Sequence, residues 1–117
     1  MAFSDKFMDI EPAREDIDKL CGPAVLEFGT DWCGYCQAAQ PFIRQAFAAY
    51  PHIPHIKVED GRGRPLGRSF GIKQWPTLVF LKDGREIKRL VRPDTAQAIN
   101  QAMKKIEGNN GDSSISI

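Results

Sequence analysis

Residues 24–50 read AVLEFGTDWCGYCQAAQPFIRQAFAAY, and the change of pattern inside this stretch decides the fold class. Ala24 to Gly29 is short, apolar and β-favouring, the pattern of a strand buried on both faces, and Glu27 is out of character in its middle. From Cys33 onward, Cys36, Ala39, Phe42, Ile43, Ala46 and Phe47 recur at helical spacing, with Pro41 as an expected kink. A buried strand gives way to a helix here, and Cys33 stands at or just before the helix N-terminus. Cys36 falls one turn later on the same face.

That position has chemical meaning. Free amide donors and the positive end of the helix dipole favour thiolate, the nucleophilic form of cysteine. Cys36 is close enough to attack a mixed disulfide formed by Cys33, and Gly34 leaves room for a partner chain beside the sulfur. A C-x-x-C pair can also hold a metal or close a structural staple, so the surroundings must decide.

Working outward, EPAREDIDKL (residues 11–20) predicts a short helix, with Pro12 in its first turn and Ile17 and Leu20 on one face. His55 to Glu59 reads as a second strand, and GRGRPLGRSFGI (61–72) as a Gly-rich loop with at most a turn or two of helix. Thr77 to Leu81 and Glu86 to Val91 flank Asp83-Gly84, a strong hairpin signal. Asp94 with Gln97 three residues on has the pattern of a capping box for a last helix, whose buried stripe is Ile99, Ala102, Met103 and Ile106 and whose stop is Gly108. The order β–α–β–α–β–β–α, preceded by the short helix, implies an α/β domain: a central sheet, mostly parallel and ending in a hairpin, with helices on both faces. Residues 1–107 form the expected domain. The polar tail GNNGDSSISI (108–117) has nothing periodic to bury and reads as disordered.

Composition narrows the function classes. The chain has 117 residues, 42% hydrophobic and 26% charged, enough for one domain with a real core. A formal charge of +1 gives no reason to expect nucleic acid or an anionic membrane as partner. No stretch approaches the ~20 apolar residues needed to span a bilayer, and MAFSDKFMDIEPARED carries no secretory pattern. Three cysteines do not make a disulfide framework. The expected address is therefore the reducing cytoplasm, where a C-x-x-C is catalytic or metal-binding more often than structural.

At these residues the sequence resembles the thioredoxin family, from about Ala24 to Ile106. The resemblance rests on W-C-G-Y-C, Glu27 six residues before the first cysteine, Lys57 in the next strand, Pro41 in the helix, and Q-W-P-T (Gln74 to Thr77) before the hairpin. It implies a thioredoxin-like fold with a central mixed sheet, and a monomeric thiol–disulfide oxidoreductase acting in electron transport and cell redox homeostasis. Cys33 and Cys36 would form the redox-active disulfide, with Cys33 attacking a protein disulfide and Cys36 resolving it. The acid at Glu27 would move protons for Cys36, with Lys57 as its partner. The proline at Pro76 would be cis, with the Trp75 backbone pairing with substrate. Trp32, Gly34, Tyr35, Trp75 and Pro76 would make the docking surface. No metal or bound organic cofactor is implied, and electrons would come from a thioredoxin reductase or from glutathione. Physics supports the role of Glu27 independently, because desolvation of a carboxylate favours its protonated form and suits it to exchange protons near neutral pH.

Departures bear on substrate range and redox poise. Tyr35 stands where most thioredoxins have proline, restoring an N–H that can point toward the Cys33 sulfur. Trp75 is bulkier than the usual residue, the family's glycine near Arg92–Pro93 is absent, and the N-terminal strand is poorly represented before Pro12. The alternatives are a redox-inactive thioredoxin-like binding module and a Cys₂His₂ zinc site built from Cys33, Cys36, His52 and His55. Cys21 reads as an inert semi-buried thiol, and Arg62, Arg64 and Arg68 as a solvated loop.

Overall fold

The computed structural model describes residues 3–107. In chain order the elements are α1 (Arg14–Asp18), β1 (Pro23–Gly29), α2 (Gly34–Ala49), β2 (His55–Glu59), α3 (Pro65–Ser69), β3 (Thr77–Lys82), β4 (Arg85–Val91) and α4 (Ala96–Ile106). The element order is the expected one, but the sheet is not mostly parallel. Its strands lie in the order β2-β1-β3-β4. β1 and β2 are parallel, with Glu27 opposite Lys57, whereas β1–β3 and β3–β4 are antiparallel. A parallel pair needs a long crossover, and the β1–β2 connection supplies it through the 16-residue α2. Strand direction is not written in local periodicity, which is why the sequence pattern misread it.

Two apolar layers hold the sheet. On one face Val25, Leu78 and Phe80 pack against Ile43 and Phe47 of α2 and Ile99 and Met103 of α4. Ala39, Ala46 and Ala102 are small, so the helices come close to the sheet and to one another. On the other face Leu26, Phe28, Val79 and Leu81 meet Ile17 of α1 and Leu66 of α3. Burying each large side chain contributes roughly 1.5–3 kcal/mol. α2 runs unbroken through Pro41, whose ring costs the helix one amide donor. α4 starts one residue later than its sequence pattern suggests. Thr95, not Asp94, is its N-cap and accepts the Ala98 amide at 3.1 Å. Gly108 and the tail lie outside the described residues. Pro12 sits just ahead of the Ala13 N-cap of α1 rather than inside its first turn.

The hairpin turn has positive φ at both central residues, Asp83 (52°) and Gly84 (78°). That is a type I′ geometry, whose twist matches the flanking strands. Gly84 also lies against the Asp18 carbonyl, where a side chain would collide with backbone. Gly84→Ala should therefore lower stability by at least about 2 kcal/mol, read as a lower denaturant midpoint with unchanged slope.

Among the described residues no strand forms before Pro12. Instead residues 3–8 lie along β2, with the Met8 amide donating to the Lys57 carbonyl at 2.9 Å and the Ser4 amide to His55 Nδ1 at 2.8 Å. Phe3 packs toward the ring of His55.

Candidate active site

β1 ends at Gly29, a three-residue turn follows, and Cys33 is the N-cap of α2. An N-cap side chain folds back to take an orphan amide of the first turn, and here Cys33 Sγ accepts the Cys36 N–H at 3.2 Å. This donor and the positive end of the helix dipole both face the Cys33 sulfur. The donor is Cys36 N–H, at the third helical position, and not the Tyr35 amide that the sequence suggested. The same fold-back leaves Cys33 only 7% exposed, so it offers a narrow point of attack. Gln37 ties the turn by donating from Nε2 to the Asp31 carbonyl at 2.8 Å.

Cys36 lies one turn deeper, under Gly29. A Cβ at position 29 would stand 2.5 Å from Cys36 Sγ, so glycine is what lets the sulfur sit against β1. Both thiols are free. Burial, with the hydrogen bond to Cys33 and the negative charges of Cys33 and Glu27 adding to it, pushes the Cys36 thiol up to about 12. The reactive form is the thiolate, so Cys36 is inert near neutral pH and gains reactivity only as pH rises toward that value. Alkylation mapped by mass spectrometry between about pH 7 and 9 should label Cys33 and spare Cys36.

Glu27 is fully buried behind the pair. Its nearest partners are not those expected. His55 Nε2 is 2.7 Å from Oε1, Gln40 Nε2 donates to Oε2 at 2.8 Å, and Lys57 Nζ is 4.0 Å from Oε2. Lys57 instead donates to Gln40 Oε1 at 3.0 Å, and Gln40 Nε2 also reaches the Cys36 carbonyl at 3.0 Å. Gln40 thus joins acid, base and cysteine helix in one network. A cleft of about 220 Å³ opens beside it, lined by Thr30, Cys36, Gln37, Gln40, Arg44 and Lys57, with Asp5, Phe7 and Asp31 at its edge.

The far wall is built around the Trp75–Pro76 peptide, which is cis. Trp75 is fixed by donating from Nε1 to Asp60 Oδ2 at 2.8 Å, and it meets Trp32 edge-on at 5.6 Å. Arg92 takes the place of the missing glycine with a glycine-like φ of 52°. Three contacts hold it: its N–H on the Pro76 carbonyl at 2.8 Å, its Nε on the Trp75 carbonyl at 2.9 Å, and its guanidinium 3.7 Å above the Tyr35 ring. Tyr35 and Trp32 are both largely exposed.

Cys33, Cys36, Glu27, Lys57, Trp32, Gly34, Tyr35, Trp75 and Pro76 are thus brought to one end of the sheet. The residues of the zinc alternative are not. His55 is committed to Glu27, and His52 lies 3.5 Å from Glu107. Among the described residues no three His, Cys, Asp or Glu side chains are grouped to hold a metal. Cys21 is exposed rather than semi-buried and precedes β1, so the length of that strand, about 20 Å, separates it from Cys33. Arg64 pairs with Glu59 at 3.0 Å, while Arg62 and Arg68 face solvent. Gln40, Gly29 and Arg92 were not singled out as site residues from the sequence, and His55 was named there only as a ligand of the zinc alternative. Only His55 left a signal there, being two residues from Lys57 and so on the same face of β2.

The thioredoxin family model matches residues 10–105. Among solved structures, thioredoxin 2 from Pseudomonas aeruginosa PAO1 in its reduced form is 52% identical. It superposes with a TM-score of 0.79 over 89% of this chain and 96% of that one. The thioredoxin of Chlamydia trachomatis is 34% identical over 60% of this chain and 69% of its own length. Thioredoxin Asp f 28 of Aspergillus fumigatus is 28% identical over 73% and 79%.

Proposed function

Since this chain belongs to the thioredoxin family and is a thiol–disulfide oxidoreductase, we propose that it reduces protein disulfides in two steps with its site residues in distinct roles. Cys33 thiolate attacks one sulfur of the substrate disulfide, and the other substrate sulfur leaves as thiolate. Cys36 then gives up its proton to Glu27 and attacks Cys33 Sγ. The second substrate sulfur leaves, and the Cys33–Cys36 disulfide holds the oxidising equivalents. The observation that carries this reading is Cys33 Sγ at the N-cap of α2, accepting the Cys36 amide, while Cys36 stays buried and protonated beneath it.

Substrate docks in this reading as an extended segment against Trp32, Gly34, Tyr35, Trp75 and Pro76. Exposure of Trp32 and Tyr35 on either side of Cys33 supports that surface. A thioredoxin reductase or glutathione returns the dithiol, and the working form is a monomer of the reducing cytoplasm. Insulin reduction separates the donors: turnover with NADPH and a thioredoxin reductase, against turnover with glutathione and its reductase. Loss of both, with stable binding of reduced client proteins, would instead indicate a redox-inactive binding module.

A further inference from the structure

We infer that Arg92 is a specificity-determining residue whose guanidinium receives a carboxylate of the client chain beside the disulfide under attack. The inference rests on the proposed docking surface and adds the class of client, a segment with a glutamate close to its cysteine.

Arg92 is held where a side chain is costly. Its φ of 52° lies in the left-handed region, which glycine alone adopts without penalty. Its backbone N–H is fixed on the Pro76 carbonyl at 2.8 Å. A conformation of this kind persists where the surroundings over-determine it, and such positions gather at ligand-binding sites.

The side chain is aimed as well as held. Nε donates to the Trp75 carbonyl at 2.9 Å, and the guanidinium carbon stands 3.7 Å over the exposed ring of Tyr35. Stacking and one hydrogen bond orient the plane, yet they use a single N–H. Among the described residues the terminal nitrogens meet no acceptor. A carboxylate takes such paired N–H groups bidentately, a match that a neutral amide does not reproduce. Arg92 touches Tyr35 and Trp75, both residues of the docking surface, so a carboxylate bound there lies beside the docked segment. Next to it a cleft of about 130 Å³ is lined by Tyr35, Ala38, Phe42 and Pro93 together with Arg92 and Asp94. This suits a glutamate, with its methylene stem in the cleft and its carboxylate on the guanidinium.

Long-range attraction does not account for such a preference. Three acids lie nearby: Asp31 adjoins Trp32, Asp94 lines the same cleft, and Asp60 is engaged by Trp75 Nε1. Lys73 and Arg89 line a separate cleft. The surrounding field therefore opposes an anionic client, and a preference for one reports contact with Arg92 itself.

The test uses the reduced full-length protein and short peptides whose one cysteine is joined by a disulfide to 5-thio-2-nitrobenzoate. Cys33 attacks the peptide sulfur, and a coloured thiolate leaves. Glu or Gln is placed in turn at each position within two residues of the cysteine, and second-order rates are compared. At one position wild type should favour Glu over Gln by roughly 3- to 5-fold at low salt, the size of an exposed bidentate pair. Raising salt to about 0.5 M should remove most of that preference. In Arg92→Gly, which fits the backbone without strain, the ratio should fall to about 1 or below. Arg92→Lys should keep only part of it, because an ammonium has the charge without the fork. The ratio of the two ratios isolates the pair.

Equal Glu-to-Gln ratios for wild type and Arg92→Gly at every position would overturn the inference. So would a preference of one size at all positions, which is steering and not contact. Trp32→Ala separates this from the docking reading. If it matches wild type on every peptide, the surface is wrong and the inference falls with it. If it slows every peptide while Arg92→Gly leaves the ratios alone, only the assignment to Arg92 fails.

Discussion

Cys33→Ser is expected to reduce disulfide turnover by at least ~10³-fold, to the uncatalysed background, because no other thiol can take its place. Cys36 is buried beneath it with its thiol pushed up to about 12, and Cys21 lies at the other end of β1. The complementary variant gives a gain of signal. In Cys36→Ser the first attack proceeds, since Cys33 keeps its N-cap position and the amide of residue 36 still points at its sulfur. Resolution has no nucleophile, so substrate stays bound as a mixed disulfide. Non-reducing gels and intact mass should show stoichiometric adducts that dithiothreitol reverses. The mirror result, trapping by Cys33→Ser and none by Cys36→Ser, would exchange the two roles.

The second large effect comes from a single added methyl. Gly29→Ala sets a Cβ where Cys36 Sγ now approaches to 2.5 Å, more than an ångström inside normal contact. The strand cannot retreat, because β1 is hydrogen-bonded to β2 on one side and to β3 on the other. Cys36 must therefore turn away. A displacement of about 1 Å at a reacting group can cost as much as 10²-fold, so the resolving step should slow by roughly 10- to 100-fold. The first attack, which uses Cys33 alone, should change little. Overpacking should also cost about 1–3 kcal/mol of stability. Equal resolving rates for Gly29→Ala and wild type would show that the sulfur relaxes freely.

Much of this was legible in the chain because it depends on local pattern. The strand Ala24–Gly29, the helix after Cys33, the Asp83-Gly84 hairpin and the stripe Ile99, Ala102, Met103 and Ile106 each follow from one period and one turn signal, and each is present. The start of α4 was misplaced by one residue because Asp94 and Thr95 are both competent caps, and only the helix register chooses Thr95. Sheet polarity was misread for a different reason, since the return of β3 alongside β1 is a property of long-range packing. The site divides in the same way. Cys33 and Cys36 are only three positions apart and were found from sequence. Glu27 betrayed itself as a carboxylate inside an apolar strand, but its leading partners did not, because Gln40 and His55 come from other elements. Lys57, four ångströms from the acid, acts mainly through Gln40. Arg92 was noted only as a missing glycine. Its hold on Tyr35 and on the Trp75 carbonyl needs three separate segments to meet.

Trp32 and Trp75 are the two tryptophans of the chain, and they meet edge to face beside Cys33. All the indole emission of the molecule therefore originates at one spot, the mouth of the dithiol. A fluorimeter set to excite indole alone watches that spot and nothing else. Oxidation, docking of a peptide, or a change at Asp60 perturbs the signal directly, while loosening near the Asp83-Gly84 hairpin stays dark until it reaches this end of the sheet. The unlabelled protein is its own stopped-flow probe, with a field of view a few ångströms wide.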